Sequence, residues 1–257
     1  MADAPRVAIV TGGASGIGLG IVRHLASEGM AVVAIDRDAD ACAAAVESLA
    51  CHAARLRILM GDIGTEEGAA HAVEAALDSF DRIDLLVNNA AYHPLELVET
   101  HDLASWRETF RVNVDGAMLC AKAVLPQMKR QGAGAIVNIG SVSGVSPYAG
   151  GSAYAASKAA VAMFTRALAL EVGPHGITVN CVAPGAIRHR PGSEDMPAAH
   201  IPIGHAGTPA DVAALVSYLA SDAARYITGT TITVDGGATA GRARVGRKAK
   251  NPEGGAV

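Results

Sequence analysis

The feature that most constrains this chain is an apolar run of strand length that breaks into a glycine turn and reopens as a helix. Val7–Val10 is short and continuously apolar, the pattern of a strand buried on both faces of a parallel sheet. T-G-G-A-S-G-I-G follows at Thr11–Gly18, and Ile21, Val22 and Leu25 then mark the inward stripe of a helix ending near Gly29. In the order strand, turn, helix, missing side chains let backbone approach a pyrophosphate. The helix N-terminus adds unpaired N–H groups and a favourable dipole for negative charge. Gly12, Gly16 and Gly18 give G-x-x-x-G-x-G rather than G-x-G-x-x-G, and Ser15 and Ile17 stand between them. The turn lacks the G-K-[ST] ending of an ATP phosphate loop.

The same alternation continues along the chain. Ala31–Ile35 reads as a second buried strand with Asp36 at its C-terminal end, about 20 residues past the glycines. A carboxylate there takes ribose hydroxyls and repels a 2′-phosphate, which selects NAD over NADP. Arg37 is the counter-signal, because a guanidinium suits a phosphate. Leu56–Met60 runs into Gly61-Asp62-Ile63, a helix follows at Glu66–Phe80, and Leu85–Val87 leads into N-N-A-A at Asn88–Ala91. Asp102–Gln131 reads as mostly helical with the polar Asn113 midway, a residue that is either a core network member or functional.

Further strands are expected at Ala135–Ile139, Ile177–Val182 (ending in Ala183–Gly185) and Thr230–Val234, with a helix at Pro209–Ala220. The irregular stretch up to Thr208 is expected to be a mobile cover, too polar for core. These spacings predict one α/β domain over residues 1–240, a doubly wound parallel sheet with ligands at the strands' carboxyl ends. Residues 241–257 form a basic tail, expected to be flexible or draped on a neighbouring subunit.

Charge and cysteine usage narrow the function classes. The net charge of −4 over 257 residues argues against a nucleic-acid partner. Five cations against Glu253 give the tail +4, which leaves −8 on the rest. Cys42, Cys51, Cys120 and Cys181 are scattered, with no C-x-x-C and no metal-like cluster, so no metal and a reduced cytoplasmic setting are expected. The first strand begins too early to leave room for a signal peptide, and no apolar run approaches the ~20 residues that cross a bilayer.

The chemistry concentrates in Ser141–Lys158. Tyr154 and Lys158 stand four apart on an Ala-rich, Pro-free run, and so on one helical face. A cation beside a phenol favours phenolate, which makes the tyrosine a usable base below its free pKa of about 10. Ser141, 13 residues before Tyr154, follows the apolar run that would deliver it to the same reacting oxygen.

With T-G-G-A-S-G-I-G, Asp62, N-N-A, Asn113, Ser141, Y-A-A-S-K, P-G and V-D-G-G in this order, the chain resembles the short-chain dehydrogenase/reductase (SDR) family over about residues 5–237. The resemblance implies a Rossmann-type domain with a seven-stranded sheet and a catalytic tetrad of Asn113, Ser141, Tyr154 and Lys158. It implies phosphate contacts at Gly12, Ser15, Gly16, Ile17 and Gly18, adenosine ribose at Asp36, and adenine at Asp62 and Ile63. Asn89 and Ala90 would meet the cofactor near its ribose, and Pro184, Gly185 and Ile187 the nicotinamide. Tyr154 and Lys158 would also touch the cofactor, with Lys158 lowering the tyrosine's pKa and Asn113 supporting a water linked to Lys158. Many members are homotetramers, so a homotetramer or homodimer is expected.

The chain departs from the family pattern at Ala91, Gly140 and His189. His93, Ser143, Tyr148, Arg188, His189 and Arg190 are candidate substrate contacts, the last three as a cationic trio that would greet an anionic substrate. The leading expectation is NAD-linked interconversion of a secondary alcohol and a ketone. The alternatives are an NADPH-dependent 3-oxoacyl reductase and an NAD-binding sensor without turnover.

Overall fold

The computed structural model describes residues 4–188 and 198–241. Its strands are β1 (Val7–Thr11), β2 (Ala31–Asp36), β3 (Leu56–Met60), β4 (Leu85–Asn88), β5 (Gly134–Ile139), β6 (Ile177–Pro184) and β7 (Thr231–Val234). All pair in parallel in the order β3-β2-β1-β4-β5-β6-β7. The expected doubly wound sheet is therefore present, with seven strands. Side chains of β1 and β2 are buried on both faces, which is why these strands read as unbroken apolar runs rather than alternating ones.

Among the described residues seven α-helices cover the two faces: α1 (Gly16–Ser27), α2 (Ala39–Ser48), α3 (Glu66–Phe80), α4 (Leu103–Phe110), α5 (Gly116–Gln131), α6 (Ser152–Val172) and α7 (Pro209–Ala220). One apolar core joins α1 and α7 to the sheet through Ile21, Leu25, Val212 and Val216. The opposite core joins α3, α5 and α6 through Ala72, Val124, Met128 and Leu168. A side chain at Gly20 would meet Pro209 at 2.3 Å, so this glycine is what lets α1 and α7 pack closely.

The structure adds to or departs from the sequence reading in three places. The mostly helical stretch expected over Asp102–Gln131 is present as α4 and α5, joined without a gap by a π-helical turn at Arg111–Asp115 that carries Asn113. The helix α2 and a 3₁₀ stretch at Ala50–Arg55 fill a region that the alternation left unassigned. The segment leading to Thr208 is not uniformly polar cover. Ile187, Ile201 and Ala206 are buried, Ile187 forms a parallel bridge with Gly207, and Ile203 N–H donates to Gly236 O at 3.2 Å. Isolated apolar residues among prolines and glycines carry no periodicity, so their burial was hidden. Residues 189–197 and 242–257 lie outside the described residues, and with them the tail.

Among the described residues no helix is long and apolar enough to cross a membrane, and no group of three or more His, Cys, Asp or Glu is placed to hold a metal ion.

Candidate active site

A cavity of about 860 Å³ opens at the carboxyl ends of the strands, where the order reverses between β1 and β4. At its base, Gly12 and Gly16 hold φ of +61° and +55°, which L side chains rarely adopt. A Cβ on Gly12 would lie 2.8 Å from Ala90 Cα, and one on Gly18 only 1.9 Å from Gly12 O. These glycines thus serve close packing of loop, helix and β4 end as much as open approach to a phosphate. Ser15 starts α1 without a side-chain cap, and the first turn holds no acidic residue. The helix therefore keeps its backbone donors and its positive end turned to the cavity.

Asn89 acts on this loop from the β4 side. Its Nδ2 donates to Thr11 O and Gly12 O, both at 2.9 Å, while the Asn89 and Ala90 N–H groups donate to the Thr11 hydroxyl at 3.0 and 3.1 Å. Both residues line the cavity, but the Asn89 side chain braces the glycine loop. Thr11, buried at the end of β1, is the hub of that brace; only its place at the head of the glycine motif signalled it.

The cavity wall at the ends of β2 and β3 is acidic and ion-paired. Asp36 Oδ2 accepts from Ala14 N–H and Oδ1 from Asp38 N–H, each at 3.2 Å. Arg37 turns to Glu108 at 3.1 Å and lies 5.7 Å above the Tyr92 ring. Glu108 also accepts two hydrogen bonds from Arg111, at 2.7 and 2.9 Å, and Arg111 reaches Asp62 at 2.8 Å. Hydrogen bonding to Arg111 holds the carboxyls of Asp62 and Glu108 below their ordinary range. Glu108 and Arg111 escaped the sequence reading, because nothing in a helical stretch signals partners 71 and 49 residues away.

At the other end, β5 delivers Ser141 and α6 delivers Tyr154 and Lys158, and all three line the cavity. Ser141 Oγ accepts from Ser143 N–H at 3.1 Å. Lys158 is buried, donates to Ile139 O at 2.8 Å, and sits 5.6 Å over the Tyr154 ring. His93 stacks on the same ring, with centroids 4.0 Å apart, and its Nε2 pairs with the Tyr148 hydroxyl.

Asn113 stands behind this surface, buried and outside the cavity lining. Its side chain accepts from Tyr92 N–H at 2.7 Å and donates to Tyr92 O at 3.1 Å and to the Ser157 hydroxyl at 2.9 Å. The amide is thus committed to the segment carrying His93 and to α6.

Burial sets the proton affinities in the chain alone. It pushes the Tyr154 phenol above its ordinary value, outweighing a hydrogen bond with Ser141 that acts the other way. It pushes Lys158 down to about 8. The easily ionised phenol expected from the Tyr–Lys spacing is therefore not a property of the chain by itself, since desolvation of both groups wins.

All the expected cofactor residues line the cavity: Gly12, Ser15, Gly16, Ile17, Gly18, Asp36, Arg37, Asp62, Ile63, Asn89, Ala90, Tyr154, Lys158, Pro184, Gly185 and Ile187. Of the substrate candidates, His93, Ser143 and Tyr148 line it, joined by Ser146 and Val142. Arg188 does not. It is exposed, and its N–H donates to Gly207 O beside the Ile187–Gly207 bridge. His189 and Arg190 lie outside the described residues. A glycine cradle at an uncapped helix end, with a carboxylate at the end of β2, fits a nicotinamide dinucleotide.

Comparison with known proteins agrees with this geometry. The family model for short chain dehydrogenase matches residues 6–196. The chain is 41% identical to galactitol 2-dehydrogenase (L-tagatose-forming) of Cereibacter sphaeroides, over 90% of this chain and 94% of that one. It is 37% identical to a 3-oxoacyl-[acyl-carrier-protein] reductase of Synechocystis, over 90% and 96%. The crystal structure of gox2181 superposes with a TM-score of 0.86 at 37% identity, covering 92% of this chain and 96% of that one. With the nucleotide cradle and the Ser–Tyr–Lys end in one cleft, the chain belongs to the short-chain dehydrogenase/reductase family, oxidoreductases on a Rossmann-type fold that binds a nicotinamide cofactor.

Proposed function

We propose that this chain is an NAD-dependent dehydrogenase that interconverts a secondary alcohol and a ketone. The observation that carries the reading is the convergence of Ser141, Tyr154 and Lys158 at one end of a cleft whose other end presents Asp36. Bound nicotinamide supplies the hydride acceptor. The Ser141 hydroxyl holds the substrate oxygen, and Tyr154 takes the proton from the alcohol, or returns it to the ketone. Lys158, still mostly protonated at neutral pH, places a cation beside the phenol as it loses its proton. Asn113 ties the Tyr92–His93 segment to α6 and so fixes one wall of the cleft. His93, Ser143 and Tyr148 are the groups this reading places against the substrate body.

Asp36 supports NAD over NADP, because a 2′-phosphate would meet its carboxylate. An NADPH-dependent 3-oxoacyl reductase is the second reading, favoured by the relative that bears that name. Exposed Met118 on α5 and Met163 and Leu170 on α6 support assembly into two or four copies, which a monomeric mass in sedimentation would contradict. The activity is tested by following reduced nicotinamide formed from NAD or NADP over a panel of secondary alcohols, polyols and hydroxy acids. Turnover with NAD is expected. Reduction of 3-oxoacyl thioesters with NADPH alone would favour the second reading.

A further inference from the structure

We propose that Glu108 is a specificity-determining residue that keeps Arg37 from serving as a 2′-phosphate site. The inference rests on the NAD reading and deepens it. The sequence places two opposite signals side by side: Asp36, which repels a phosphate, and Arg37, which would attract one. Both line the adenosine end of the cleft. A guanidinium left loose there would offer planar, charge-assisted hydrogen bonds to a phosphate.

Arg37 is instead held from a different element. Glu108, in the last turn of α4, accepts from Arg37 Nη1 at 3.1 Å, and the guanidinium lies over the Tyr92 ring at 5.7 Å, within cation–π range. Glu108 is itself fixed by two hydrogen bonds from Arg111, which Asp62 anchors in turn. The latch is therefore preassembled, and turning Arg37 toward a ribose phosphate requires breaking its ion pair. Arg37 and Glu108 are 52% and 30% exposed, so the pair resists release only modestly, in the range measured for exposed ion pairs. Cofactor choice then has two layers: repulsion by Asp36 and sequestration of Arg37 by Glu108.

The test is a double-mutant cycle in the full-length chain, read by calorimetric titration with NAD and NADP. In an Asp36→Asn background the repulsion is gone and the latch is exposed. Adding Glu108→Gln is expected to tighten NADP binding about two- to fivefold. NAD affinity should move less than twofold. Adding Arg37→Gln to that double variant should cancel the gain. An NADP Kd unchanged by Glu108→Gln, with NAD binding intact, would overturn the latch. A gain that survives Arg37→Gln would assign it to Arg111 and overturn it equally.

Should the double variant fail to fold, Arg37→Gln in the Asp36→Asn background decides alone. A latched Arg37 predicts little change in NADP affinity, whereas a large loss would show that Arg37 already engages the phosphate. The NAD reading is judged separately, by which cofactor the unaltered chain binds more tightly.

Discussion

Lys158 shows how much a single residue's setting decides here. Its ammonium is buried with one backbone acceptor, Ile139 O, and burial lowers its pKa from 10.5 to about 8. The sign of the consequence follows from linkage. Between about pH 8 and 10.5 the unfolded chain holds a proton on this lysine that the folded chain has released, so this residue's contribution to stability rises with pH. Below pH 8 both states are protonated and the folded state bears the full cost of the buried charge. We predict that Lys158→Met stabilises the cofactor-free protein most near pH 7, with the advantage shrinking toward pH 10. Urea midpoints at the two pH values measure this, and an equal gap at both would refute the buried cation. Tyr154, raised by the same burial, makes the opposite contribution above pH 10.

At the scale of elements, what was legible followed from pattern. The strand ends were placed to within a residue or two because runs such as Ala31–Ile35 and Leu85–Val87 are buried on both faces and bounded by glycine or polar residues. The helix α3 was found residue for residue, with Thr65 capping Gly68 N–H at its start. In contrast, α2 is an alanine-rich helix whose buried residues number only Cys42 and Ala45, too thin a stripe to read. The π turn at Asn113 alters hydrogen-bond register without altering composition, so nothing in the residues announced it. Asp36, Asp62 and Asn89 were legible as strand-end positions and the other cofactor candidates mainly through the family resemblance, whereas Thr11, Tyr92, Glu108 and Arg111 work through distant partners that one sequence does not pair. The glycine turn makes a sharper demand. Gly18→Ala would drive a methyl group to 1.9 Å from a backbone oxygen, forcing α1 off the loop. We expect NAD affinity to fall at least tenfold while the circular dichroism of the fold persists. Unchanged affinity would show that the loop adapts and that the cradle is not shaped by this contact.

The whole molecule is a sheet that brings short loops from β1, β2, β4, β5 and β6 to one edge, so that residues from 12 to 187 share one cleft. On the function proposed above its two ends do different work: the glycine turn and acidic network would face the nucleotide, and the Ser–Tyr–Lys end the reacting carbon. Division of labour of this kind predicts separable defects. The measurement that tests it most directly is a paired one on Tyr154→Phe, comparing NAD affinity by titration with alcohol-dependent formation of reduced nicotinamide. Loss of the phenol hydroxyl is expected to cut turnover by at least about 10²-fold, the scale of general acid–base catalysis, and to leave NAD affinity within about threefold. Retained turnover in the variant would contradict Tyr154 as the proton-transferring group, and with it the mechanism proposed for this cleft.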